Sequence, residues 1–153
     1  MVKIKQSIAY KCILGCLLLI GLVVGTYAAD NPDAPDLIGE FGKREIIYLT
    51  AIGNPQNSTR DFLIAYDNYL IFLDEELIKA SEVIKSKLPE ARKSELVAAQ
   101  LHWIKYRDAE FEFIKNTWTR KDFGSSAGIS RGDYRTSIVK NRIIQLLHYA
   151  KSF

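Results

Sequence analysis

Few residues in this chain are of the types that do chemistry, and their spacing favours no catalytic reading. His102 and His148 are the two histidines, and neither has a histidine or carboxylate at metal-ligand spacing. Gly124-Ser125-Ser126-Ala127-Gly128 offers small residues and hydroxyls, as a phosphate cradle does. It lacks the GxxxxGK[ST] pattern and a preceding strand, and no base is identifiable for a serine nucleophile there. Asp74-Glu75-Glu76 is an acidic run that suits either a solvated helix face or a surface for a cationic partner. Trp118-Thr119-Arg120-Lys121 mixes an aromatic with bases but is too short to indicate nucleic-acid binding. These residues predict no catalytic, metal or cofactor site, and so a binding protein rather than an enzyme.

The charge balance supports this once it is divided by segment. The 153 residues hold 21 Lys+Arg against 18 Asp+Glu, a formal net charge of +3. The excess comes from Lys3, Lys5 and Lys11, which leaves the chain from residue 30 onward neutral. Cys12 and Cys16 also lie in that first stretch, so residues 30–153 contain no cysteine. Three lysines, the uncharged run Cys12–Gly25 and the small-residue exit Thr26-Tyr27-Ala28-Ala29 have the three-part pattern of a secretory signal peptide. The expectation is cleavage after Ala28, giving a periplasmic or secreted protein. The alternatives are an uncleaved N-terminal anchor, the only membrane contact expected, and lipidation at Cys16. A neutral mature chain argues against nucleic acid as a partner. Within it, residues 30–90 carry net −6 and residues 91–153 net +6, so two opposed halves attract each other or present an acidic face to a cationic partner.

The elements that must position these residues read as helices. Asp30–Gly42 has the prolines, glycines and acids of a flexible spacer, and Lys43–Thr50 fits a strand or a helical turn equally well. Residues 29–57 are therefore expected to be spacer plus a short element, with the helical domain over residues 58–153. Ser58 reads as an N-cap, with Asp61 in the first turn. Phe62, Tyr66, Tyr69, Leu73, Leu77, Ala80 and Ile84 then recur at steps of three or four. Leu63, Leu70, Ile71 and Phe72 widen this stripe, and Glu75 with Lys79 forms an i,i+4 pair. A second helix starts at Pro89-Glu90 and runs to about Trp118, with Leu96, Ala99, Trp103, Tyr106, Phe113 and Trp118 on its buried side. A Gly/Ser loop over 123–132 precedes a third helix that starts at Asp133 as N-cap and ends at Ala150. The expected fold class is all-α, a small bundle of three main amphipathic helices.

One segment carries a more specific pattern. Ala98-Ala99-Gln100-Leu101-His102-Trp103-Ile104-Lys105-Tyr106-Arg107-Asp108-Ala109-Glu110-Phe111 is followed by Gly124-Ser125 and by Tyr134 eight positions before Arg142. This combination resembles the LprI-type lysozyme-inhibitor family, with its AQ-x-x-W-x-x-[FY]-R-D-A-x-C motif, Gly/Ser loop, and cysteine eight positions before an arginine. The resemblance spans roughly residues 58–150. It places Gln100, Trp103, Tyr106, Arg107, Asp108, Gly124, Ser125 and Arg142 on the family motif, mainly as fold-maintaining residues. Where the family has its two cysteines this chain has Phe111 and Tyr134. The expectation is an aromatic contact in place of the disulfide. Trp103 and Tyr106, three apart, are expected to share the buried face. Arg107 and Asp108, being adjacent, should point apart; Arg107 and Arg142 are each expected to reach a carboxylate on another helix or to cap the Gly/Ser loop.

The resemblance implies an envelope protein that binds and blocks a lysozyme. C-type lysozymes are cationic and work with two carboxylates in a cleft. Asp74, Glu75 and Glu76 are the candidate acids facing such a partner. The rival expectation is an envelope interaction module, an immunity or adaptor protein, whose partner is not a lysozyme.

Overall fold

Four long helices and one short one make up residues 35–153, the part of the chain described by the structure, a computed structural model. The stretch read as a signal peptide or anchor lies outside the described residues. The elements are α1 (Leu37–Ile52), α2 (Thr59–Lys87), α3 (Glu90–Thr117), α4 (Arg120–Phe123), a 3₁₀ turn (Gly124–Ser126) and α5 (Ala127–Lys151). The all-α class is as expected. The bundle has four long helices instead of three, because α1 forms inside the stretch read as spacer and takes in Lys43–Thr50. Local chemistry supports this helix. The Asp36 carboxylate caps it by accepting from the Gly39 amide (2.9 Å), and Asn57 Nδ2 donates to the Ala51 carbonyl (2.8 Å) just beyond its last turn.

Contacts between helices fix their directions. Along α2 and α5, Gly128 meets Leu63 and Gly132 meets Tyr66, while nearer the other end Gln100 of α3 links Ser81 to Arg142. The two sets of numbers rise together, so α2 and α5 run parallel. On α1, Arg44 reaches Glu76 while Tyr48 stacks on Phe72 (4.4 Å), so α1 runs antiparallel to α2. On α3, Gln100 meets Ser81 while Arg107 meets Asp74, so α3 is also antiparallel to α2. The chain therefore goes up and down through four helices, with α2 and α5 packed closest and α1 and α3 flanking that pair.

The core lies in the α2–α5 contact. Leu73, Val139, Ile143, Leu146 and Ala150 are fully buried there, and Phe41 from α1 closes one side. Small residues on α5 allow the close approach. A Cβ on Gly132 would sit 2.5 Å from Tyr66 Cγ and 2.7 Å from its Cβ. A Cβ is fixed to the backbone, so it cannot swing aside. Gly132→Ala is expected to cost about 1–3 kcal/mol by overpacking. The check is urea unfolding, with a lower midpoint at unchanged m-value. These glycines also explain where α5 begins. The sequence places the helix start at Asp133 because Gly128 and Gly132 look like loop residues. In the structure both lie inside α5, and Asp133 is mid-helix with its carboxylate 3.5 Å from the Tyr66 hydroxyl. The expected ten-residue loop reduces to α4, capped by Thr119, and one 3₁₀ turn with Gly124 at φ 62°.

Two buried glutamates hold α1 in place. Glu45 accepts from the Tyr69 hydroxyl and pairs with Lys140 Nζ (2.8 Å), which joins α1, α2 and α5. Burial, with the Glu45 carboxylate as acceptor, pushes the Tyr69 phenol upward, so it stays a donor. Glu76, only 2 % exposed, accepts from Arg44 Nε (3.1 Å) and Nη2 (2.6 Å) and from Lys79 Nζ (2.9 Å). The expected Glu75–Lys79 pair is thus replaced by Glu76–Lys79, because Glu76 is the inward acid and α1 brings a second cation to it. Burial pushes the Glu76 carboxyl up, but donation from Arg44 and Lys79 outweighs it and holds the group below its ordinary 4.5. A depressed carboxyl stabilises the fold above its unfolded pKa, and that contribution is lost as pH falls through the folded value. Glu76→Gln is therefore expected to flatten the acid limb of a stability-versus-pH curve below about pH 4.5. An unchanged acid limb in that variant would assign acid lability to other carboxylates.

Candidate functional site

α3 differs from its neighbours in how it is held. Pro89 starts it after a two-residue turn, and it carries apolar residues on both sides. Ile114 is buried, while Leu96, Trp103 and Phe111 are half-buried against the core. The inward stripe is Leu96, Gln100, Trp103, Arg107, Phe111 and Ile114, at steps of three and four. Ala99, Tyr106 and Phe113, expected on the buried side, face solvent, with Tyr106 53 % exposed. The reason is that the buried face includes Gln100 and Arg107, so apolar periodicity finds Leu96 and Trp103 but misses the polar half of the stripe.

Arginines and aromatic rings alternate along this stripe. The Arg142 guanidinium lies 5.8 Å from the Trp103 ring centre, and Arg107 lies 5.7 Å from Trp103 and 5.8 Å from Phe111. Arg135 lies over Phe111 at 4.6 Å. The order across the α3–α5 seam is Arg142, Trp103, Arg107, Phe111, Arg135. A planar, weakly hydrated guanidinium suits this stacking as an ammonium does not. Polar contacts close both ends. Gln100 Nε2 donates to Ser81 Oγ of α2 (2.7 Å), while its Oε1 accepts from Arg142 Nε (2.8 Å). Arg142 Nη1 also donates to Gln145 (2.6 Å). Arg107 Nη1 lies 3.7 Å from Asp74 Oδ1, and its Nε and Nη2 donate to Asp108 Oδ1 at 3.0 and 2.8 Å. Burial lowers the Arg142 guanidinium from its ordinary value, and burial raises Asp74 against the pull of Arg107 and Arg135.

Several sequence expectations change here. Arg107 and Asp108 do pair, because the arginine folds along the helix under the two rings and meets the neighbouring carboxylate. Arg142 reaches glutamines instead of a carboxylate, and the carbonyl beside the turn, that of Trp118, is taken by Arg131 Nη1 (3.2 Å). Phe111 and Tyr134 both help to join α3 to α5, each with its own partner. Phe111 packs on Arg107 and Arg135, and Tyr134 packs on Trp118 with ring centres 4.6 Å apart. Arg135, Ser81 and Gln145 belong to the seam and were not anticipated. Arg135 follows Tyr134 directly, and no spacing rule marks it.

A second feature lies on the outside of α2. Asp67, Ile71, Glu75, Ile78 and Glu82 are exposed and recur at steps of three or four, with exposed Asp74 beside them, so acids and isoleucines share one outward ridge. Ile71 is 61 % and Ile78 65 % exposed. A recess of about 370 Å³ between α1 and α2 adds Ile47 beside Ile71 and Glu75. Another of about 290 Å³ between α2 and α3 adds Val97, Leu101 and Ile104 beside Ile78. Of the three acids expected to face a partner, Asp74 and Glu75 lie on this ridge, and Glu76 is internal. Three consecutive helical residues are turned about 100° apart and cannot share a face. Ile71, expected to be covered, is open.

No curated protein and no solved structure gives a significant match to the chain. The family model described as lysozyme inhibitor LprI matches residues 53–146, well over half of the chain, including α2, α3, the α4 turn and most of α5. With the seam motif inside the matched region, the chain belongs to the LprI lysozyme-inhibitor family.

Proposed function

We propose that this protein is an exported inhibitor that binds a lysozyme through the outward ridge of α2. The observation that carries this reading is the family match over residues 53–146. Such an inhibitor acts at or beyond the cell envelope. The basic, uncleaved-anchor-or-signal pattern of residues 1–28 supports export, and no helix among the described residues is long and apolar enough to cross a membrane. The ridge suits a cationic protein. Its acids attract such a partner over a Debye length, and the exposed isoleucines between them gain from being covered. The seam then has a supporting role, since it fixes α3 beside α2 and keeps Val97, Leu101 and Ile104 next to Ile78.

The test is calorimetric titration of the purified protein into a panel of lysozymes at low and high salt. Saturable binding that weakens with salt is expected. Glu75→Lys should lower affinity by about tenfold, chiefly through the association rate, and Ile78→Asp should lower it at either salt. Neither residue is buried, so circular dichroism should be unchanged. Binding that is indifferent to both substitutions would place the partner elsewhere. Absence of binding to every lysozyme, with capture of a different envelope protein, would favour the interaction-module reading.

A further inference from the structure

We propose that a recess at the start of α2 and α5 binds a phosphate-type oxyanion, an activity separate from lysozyme inhibition. The recess has a volume of about 410 Å³ and is lined by Thr59, Arg60, Leu63, Arg120, Gly124, Ser125, Ala127, Gly128 and Arg131. Leu63 and Ala127 form an apolar floor, the two hydroxyls and three arginines surround it, and no acid lines it. Three separate elements, α2, α4 and α5, supply one arginine each. Gly128 lets α5 pack closely on Leu63 at the edge of the recess, since a Cβ there would meet Leu63 Cδ2 at 2.5 Å.

The charge in this recess is only partly offset from within the protein, by Asp61 next to Arg60. Nine lysines and arginines elsewhere among the described residues hold a carboxylate in a salt bridge, and Arg60, Arg120 and Arg131 are not among them. The neighbouring acids Asp61 and Asp122 each take part in a helix cap. Asp61 Oδ2 accepts from the Ser58 amide (2.9 Å) and hydroxyl (2.6 Å), and Asp122 Oδ2 accepts from the Thr119 hydroxyl (2.6 Å). Arg131 is anchored by its bond to the Trp118 carbonyl and cannot turn away freely. With three guanidiniums lining one recess and no carboxylate bound to any of them, an oxyanion with several acceptor oxygens adds the missing negative charge and matches the guanidinium fork. The apolar floor adds room for a carbon chain attached to the phosphate, as in a lipid headgroup or a phosphorylated envelope polymer. The site is about 22 Å along α2 from Glu75, at 1.5 Å per residue, so it does not compete with the ridge.

The experiment is an NMR titration of the purified full chain with inorganic phosphate against chloride at matched ionic strength. Arg60→Gln/Arg120→Gln is the comparison, because neither side chain holds another part of the fold. The expected result is saturable phosphate-specific shifts at Thr59, Ser125 and Gly128, about tenfold weaker in the double variant, with lysozyme inhibition unaltered. Co-sedimentation with phosphatidylglycerol vesicles that is lost in the double variant would assign the phosphate to lipid. Phosphate-specific shifts without co-sedimentation would assign it to a soluble or polymeric source. Equal shifts in phosphate and chloride, or equal phosphate affinity in the double variant, would overturn the proposal.

Discussion

Glu45→Ala should destabilise the protein by about 2–3 kcal/mol, more than its place on a peripheral helix suggests. The substitution leaves the Tyr69 hydroxyl without its acceptor in a buried position and leaves Lys140 without its carboxylate. Lys140 keeps partial access to water, which is why the cost falls below the 3–5 kcal/mol typical of a fully enclosed pair. Glu45→Gln should cost less, since an amide oxygen can still accept from Tyr69. A Glu45/Lys140 double-mutant cycle would isolate the pair. The outcome matters because α1 ends before the region matched by the family model. If Glu45→Ala unfolds in two stages, with α1 lost first, α1 is an appendage. A single cooperative transition at lower denaturant, which the three-helix junction at Glu45 predicts, makes α1 part of the domain.

Trp103→Ala should cost about 2–4 kcal/mol and loosen α3 selectively. The ring lies between Arg107 and Arg142, so its removal takes away the stacking surface of Arg142 and leaves Arg107 with Phe111 alone. Arg107→Lys preserves charge but not the planar face, and about 1–2 kcal/mol is expected. Hydrogen exchange gives the decisive reading. Amides of α3 should lose protection in both variants, while those of α2 and α5 around Leu73 and Ile143 keep theirs. Uniform loss across all helices would mean that α3 is part of the central core instead of a helix docked through its seam. Stacked arginines and rings, not a covalent link, hold this helix to α5.

The two central helices were legible because their determinants are local. Ser58 caps α2 as read from the sequence, Asp61 completes a capping box with it, and the Tyr69–Leu73–Leu77–Ala80–Ile84 stripe is the buried one. Pro89 marks the α2–α3 turn as expected. The errors occur where tertiary contact decides. Gly128 and Gly132 resemble loop residues, and only the proximity of Leu63 and Tyr66 shows that they serve close helix packing. Glu45 and Glu76 look like surface acids until Lys140 and Arg44 arrive from other helices. On α3 the apolar residues fall on both faces, and the buried side is identified by Gln100 and Arg107, which ordinary hydrophobicity would place outside. The motif residues Gln100, Trp103, Arg107 and Arg142 were found, but their joint arrangement depends on Arg135 and Ser81, which carry no sequence signal.

As proposed above, this LprI-family chain blocks a lysozyme. The most direct measurement is the rate at which a lysozyme clears a suspension of cell walls while the purified protein is titrated in. Clearing should fall in proportion to added protein and stop near equimolar inhibitor, with recovery when Glu75→Lys/Ile78→Asp replaces the wild type. Undiminished clearing by every lysozyme tested, at a large excess of folded protein, would contradict it.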